Sequence, residues 1–212
     1  MLDPIKMENV DYRTWISEYF MDEMLSKIFE LAAPFLNTRG NDDHIRISYE
    51  CAVRLLHAEG GDPNVVLPAI ILHDVGWKSV PEDLQITAYG PGQRDMELNR
   101  VHEREGARIA AEILEQVNYP AHLIMEITQI ILQHDSGKEA ISINDAIVKD
   151  SDKLWRYSKH RAKINAESFG MTREQFLNGL RGHLEDWFLT RTGKSMATEL
   201  LRLCEQGPES SE

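Results

Sequence analysis

The sequence predicts an all-α protein, and three observations predict it. Apolar residues recur at three- and four-residue spacing along most of the chain, the signature of amphipathic helices. No stretch alternates apolar and polar residues with the period of two that a half-buried strand needs. The breaks between periodic segments are clusters of Gly, Pro, Asn and Asp, and no internal repeat or low-complexity tract interrupts them.

Each element follows from a local pattern. Over 12–35, Trp15, Ile16, Phe20, Met24, Ile28, Leu31 and Ala32 are spaced for one helix face. "NTRGNDD" breaks the pattern, and Asp42 or Asp43 is suited to cap a helix over 44–58. "EGGDPN" ends that helix, and another is expected over 63–74. The segment 77–100, punctuated by Pro81, Gly90, Pro91 and Gly92, reads as a long loop with at most short turns. Helices are expected at 98–117, 120–135 and 143–159, then at 172–189 and 194–205, with "GPESSE" fraying at the end.

The totals bound the function. With 212 residues, 42% of them hydrophobic, the chain can bury a sizeable core as one domain with helical extensions. Lys and Arg number 23 against 35 Asp and Glu, a net charge of −12, which argues against a nucleic-acid backbone or an acidic membrane surface as partner. The two cysteines, Cys51 and Cys204, give no disulfide framework, the N-terminus lacks a signal-peptide pattern, and no apolar run is long enough to span a bilayer. These features lead us to expect a cytoplasmic protein; they do not speak to its oligomeric state.

The chemistry-bearing residues sit on core faces. In "AIILHDVGWK", four apolar residues run straight into His73 and Asp74, and burying an ionised carboxylate is costly unless it is paired or binds a metal. His44 shares a face with Ile47, Cys51 and Leu55. His102 lines up with Ile109 and Ile113, with the small Gly106 and Ala107 beside it. Ile124, Ile127 and Ile131 lead to His134, and Asp152 lies between Val148 and Trp155. Imidazoles and carboxylates gathered in this way are ligands for divalent manganese, iron, nickel, zinc, cobalt or magnesium. His57, His122, His160 and His183 have no such alignment.

This ordered set resembles the HD-domain superfamily of metal-dependent phosphohydrolases. "ILHDVGW" stands where that family often has "LLHDIGK", and "DSDKL" where it has "DADRL" or "ADKL"; "HEREGARIAAEIL" and "ITQIILQHD" look like its intervening histidine segments. The resemblance covers 44–157. It implies an HD-type metal-binding core over 41–160; the helices expected on either side read as an N-terminal helical extension over 1–40 and C-terminal helices over 161–212 packed on the same domain. It also implies that His44, His73, Asp74 and Asp152 hold one metal, with Asp74 bridging to a second at His102 and His134. Asp150 is the rival for Asp152, which is preferred because it directly precedes Lys153-Leu154. Trp77 departs from the pattern by standing where the family has Lys, with Lys78 one position late.

One or two such ions would make a locally positive site in a negatively charged protein, suited to a small phosphorylated substrate. The implied reaction is hydrolysis of a phosphate ester by metal-activated water, with Asp74 and His73 at its centre and no Ser or Cys nucleophile. Lys78, Arg104 and Lys153 are the candidate phosphate contacts, with Arg94 and Arg156 as further basic residues nearby in sequence. The loop over 77–100 is placed to choose the substrate. Two alternatives stay open: an HD-type di-iron oxygenase, which needs iron and an oxygen position, and a non-catalytic helical sensor or binding module.

Overall fold

The computed structural model describes residues 22–38, 41–89 and 95–206. All its regular elements are helical among these residues, as the periodicity predicts. The first, α1 (Glu23–Leu36), is capped by Asp22, whose carboxylate accepts the Met24 N–H at 2.8 Å, and it buries Leu25, Ile28, Phe29, Ala32 and Leu36. The first part of the segment expected to be helical, including Trp15, Ile16 and Phe20, lies outside the described residues.

Next come α2 (Asn41–Glu59) and α3 (Pro63–Leu72). The turn between them runs through Gly60 and Gly61 at φ +78° and +113°, where a Cβ on Gly61 would lie 2.9 Å from Asn144 Oδ1. Asp62 caps α3, Pro63 fills its first turn, and Val65, Val66 and every residue from Pro68 to Leu72 are buried. A helix apolar all round belongs in the centre: α3 packs on α1, α2, α6 and α7. It stops at Leu72, two residues before the expected end, and the chain re-forms as a 3-10 turn over Val75–Ser79.

The expected long loop contains a helix, α4 (Glu82–Tyr89). Pro81 precedes it, Glu82 and Asp83 suit its N-terminus, and Gln85 and Ala88 are its buried side. Then follow α5 (Met96–Gln116), α6 (Ala121–Ile131) and α7 (Ile143–Leu154). A second 3-10 turn over Trp155–Tyr157 ends α7 sooner than the sequence suggests, and α8 (Lys159–Ser168) is a helix that the periodicity does not show, because "KHRAKINAES" is mostly polar. The chain closes with α9 (Arg173–Gly182), which has a Thr172/Gln175 capping box, and α10 (Arg191–Glu205). Leu201, Ala197 and Cys204 of α10 belong to the same buried cluster as α1, α2 and α3.

Candidate functional site

Two glycines bring the HD turn onto α5. A Cβ on Gly76 would lie 2.0 Å from the His102 carbonyl and 2.5 Å from the Gly106 nitrogen, and one on Gly106 would sit 3.4 Å from the His73 carbonyl. Backbone against backbone at this distance leaves no room for side chains. The consequence is a short reach between elements far apart in sequence: His102 Nε2 lies 3.4 Å from Asp74 Oδ1.

The other candidates converge on the same place. His44 Nε2 is 2.8 Å from His73 Nε2, 3.2 Å from Asp74 Oδ2 and 3.4 Å from Asp152 Oδ1. His73 Nε2 is 3.7 Å from Asp74 Oδ1 and 3.5 Å from Asp152 Oδ1. His134 Nε2 is 3.2 Å from His102 Nε2. All six side chains are buried. His44/His73/Asp152 and His73/Asp74/His134 each place three ligand atoms within 4.8 Å of one another.

This donor set fits a divalent cation. His73 and His134 each turn Nδ1 to a backbone carbonyl, Ile70 and Ile131, at 2.8 Å, which assigns a proton to Nδ1 and aims Nε2 into the cluster. Lone pairs facing each other across about 3 Å repel unless a proton or a cation lies between them. Burial holds His44 neutral, down to about 3, against the pull of Asp74. Burial also pulls on His73, but Asp74 and Asp152 outweigh it and lift that ring to about 9. For Asp152, burial is outweighed by Arg156, His73 and His44, which hold its carboxyl well below the usual range. The cluster therefore attracts positive charge to its centre.

Outer contacts set these ligands in place. His134 sits past the end of α6, on the turn 132–136, where the sequence had suggested the helix stripe itself. Glu103 holds that turn: its buried carboxylate accepts the Asp135 and Ser136 N–H groups at 3.2 and 2.8 Å and the Ser136 hydroxyl at 2.8 Å. The buried Lys149–Asp145 pair at 3.0 Å fastens the following segment, through the Glu139 carbonyl, the Ile141 N–H and the Gln133 amide. Sequence reasoning missed Glu103; its signal is a polar member of the inward stripe Asn99, Glu103, Gly106 and Ala110. Trp77 donates its indole N–H to Asp74 Oδ1 at 2.9 Å and stacks on His102 at 4.0 Å.

Asp150 faces elsewhere. Its carboxylate accepts the N–H groups of Leu189 and Thr190 at 2.8 and 2.9 Å and the Thr190 hydroxyl at 2.7 Å, tying α7 to the start of α10. The candidate phosphate contacts also fall differently from expectation. Lys78 and Arg104 are exposed, and neither they nor Lys153 are among the described residues lining the pocket over the cluster. The helical turn carries Lys78 and Arg104 outward while burying Trp77 and His102 beside them. Arg156 does line that pocket, with His44, Asp74, Trp77, His102, His134, Asp135, Asp152 and Trp155. Arg94 and the His160 side chain lie outside the described residues, and His57, His122 and His183 are exposed.

No curated protein matches the sequence. Among solved structures, the chain is similar to a protein from an uncultured Thermotogales bacterium described as a predicted HD superfamily hydrolase, with a TM-score of 0.56. The two are 17% identical over 84% of this chain and 86% of the other, which establishes a shared fold. The family model of the HD domain matches residues 41–157, the span from the start of α2 to the end of the 3-10 turn after α7, with all six converging side chains inside it; the chain belongs to the HD-domain family.

Proposed function

We propose that the protein is a metal-dependent phosphohydrolase that cleaves a small phosphate ester by activated water. The observation that carries this reading is the convergence of four imidazole Nε2 atoms and two carboxylates beside a pocket that also receives Arg156. His44, His73, Asp74 and Asp152 would hold one divalent cation, and His102 and His134, sharing Asp74, would hold a second. Such cations supply Lewis acidity toward a phosphoryl oxygen and lower the pKa of a water.

The chain's own residues do the rest. Asp74 faces both halves of the cluster and orients them together. Arg156 presents a fixed positive charge at the pocket to a substrate anion. Trp77 and Trp155 wall the pocket with apolar surface, which strengthens the electrostatics inside it. Cys51, buried and pushed up to about 12 mainly by that burial, is no nucleophile. The core over 41–160 is the catalytic part of this reading. Two buried cysteines that form no disulfide suit a cytoplasmic setting.

The test is elemental analysis of protein purified without chelators, then phosphate release from a panel of phosphate esters with added manganese, nickel or iron, with oxygen consumption followed in parallel. Phosphate release with redox-inert metals, lost in Asp74→Ala, is the expected result. Turnover that demands both iron and oxygen would overturn the reading.

A further inference from the structure

Resting on the proposal that the cluster holds two cations, we infer that Trp77 is a positioning residue that divides Asp74 between the two halves and makes their affinities unequal. The indole N–H lies 2.9 Å from Asp74 Oδ1, the oxygen that faces His102 at 3.4 Å. The other oxygen, Oδ2, faces His44 at 3.2 Å. Asp74 thus presents Oδ2 to His44 and Oδ1 to His102, with His73 Nε2 farther from Oδ1 at 3.7 Å, and the indole bond prevents the carboxylate from rotating out of that arrangement.

Trp77 fixes the second half twice over. Its ring lies parallel to His102, 4.0 Å away at an interplanar angle of 15°, so the same side chain orients an imidazole and a carboxylate oxygen of one subset. Trp77 is itself held: it is 2% exposed, packs with Val80 and Ala88, and its carbonyl accepts the Gln85 amide at 3.0 Å. The first half has a second carboxylate besides Asp74. His44 and His73 lie 3.4 and 3.5 Å from Asp152, and Trp155 meets the His44 ring edge-on at 4.7 Å. The first half therefore has two histidines and Asp152 besides its share of Asp74. The second has two histidines and one indole-held oxygen. Two cations would load in order, first at His44/His73/Asp152 and then at His102/His134, with Trp77 governing the second step.

The experiment is calorimetric titration of metal-stripped full-length protein with manganese, for wild type and Trp77→Phe, with thermal unfolding of both stripped proteins as a control. Phenylalanine keeps an aromatic ring against His102 and removes the N–H. The expected result is two binding steps in wild type and, in Trp77→Phe, a second step weakened about 10- to 100-fold with the first changed less than about 3-fold. Equal weakening of both steps, or two unchanged steps, overturns the inference and leaves the two-cation reading standing. A wild type that takes up no manganese overturns the two-cation reading itself and the inference with it. Should Trp77→Phe not fold, indole 15N spectra of wild type titrated with zinc decide: the Trp77 N–H resonance must shift on the second equivalent, and a resonance unmoved by that equivalent overturns the inference.

Discussion

Arg156 enters the pocket from the turn after α7, its guanidinium 5.3 Å from the Trp155 ring centre and 5.8 Å from that of Trp187. It donates to the Asp152 carbonyl at 3.2 Å and keeps its charge 3.8 Å from Asp152 Oδ2. Held between two rings, it is oriented before any anion arrives. Arg156→Gln is expected to raise KM about 10- to 100-fold with kcat changed far less, the loss of one charge-assisted hydrogen bond of about 1.5–3 kcal/mol, and Lys at that position should restore part of it. Steady-state kinetics on whichever ester proves to be a substrate checks this. A fall in kcat with KM unchanged would assign Arg156 to the transition state instead. Asp152 and Asp150 give a paired test: Asp152→Asn should cut metal content severalfold with modest change in Tm, whereas Asp150→Asn should keep the metal. The latter puts an amide against donors that now have acceptors, costing about 2 kcal/mol, or roughly 4–8 °C in Tm.

At the scale of elements, the crossing of the HD turn over α5 decides whether the cluster forms at all. Gly76→Ala would force a methyl into the His102 carbonyl and the Gly106 backbone, neither of which is a movable side-chain tip. A cost of about 3 kcal/mol is expected, measurable by urea unfolding, together with loss of metal uptake. The turn after α6 is the other dependent element. Glu103→Ala leaves two backbone N–H groups and the Ser136 hydroxyl without their acceptor, about 2–3 kcal/mol, and should weaken metal binding at His134 about 10-fold. These contacts explain what was legible. His102 is visible in the sequence because it lies on a helix stripe. The support for His134 is not, because it comes from a carboxylate on another helix, and no local pattern marks which buried Glu reaches which turn.

At the scale of the whole molecule, the C-terminal helices share the buried apolar cluster of the family core and are also held to it by polar ties. Glu59 at the end of α2 accepts the Thr192 N–H at 2.8 Å, placing a negative charge on the first turn of α10. The bonds from Thr192 lower the pKa of Glu59. A carboxylate with a depressed folded pKa contributes stability above its unfolded value and loses it as pH falls through the folded one. Glu59→Gln is therefore expected to lower stability at pH 7 slightly, by ~0.5–1 kcal/mol, with the gap to wild type closing under acid conditions. Cys51 in α2 and Cys204 in α10 report on the same packing: both are buried, and the Cys204 thiol donates to the Tyr157 carbonyl at 3.2 Å. A thiol reagent at pH 8 should label neither in the native protein and both in denaturant. Among the described residues no helix is long and apolar enough to cross a membrane.

The sequence by itself determined the all-helical class, most of the core and the family, because helix faces are written in local periodicity and "HDVGW" with its flanking histidines and "DSDKL" is a pattern along one chain. It also named the six side chains that meet, since each lies on or beside an apolar stripe. Short helices escaped it: α4 and α8 take their stability from what they pack on rather than from a continuous apolar face of their own. Only the tertiary structure decided that Arg156, not Lys78, Arg104 or Lys153, points to the pocket, that Asp150 holds the start of α10, and that Trp77 reaches Asp74. These are matters of direction at a helix end. A turn of backbone at Leu72, or at Leu154 where α7 gives way to a 3-10 turn, swings neighbouring side chains to opposite sides, and where the chain turns is set by close approaches such as Gly76 on Gly106, between residues that the sequence keeps far apart.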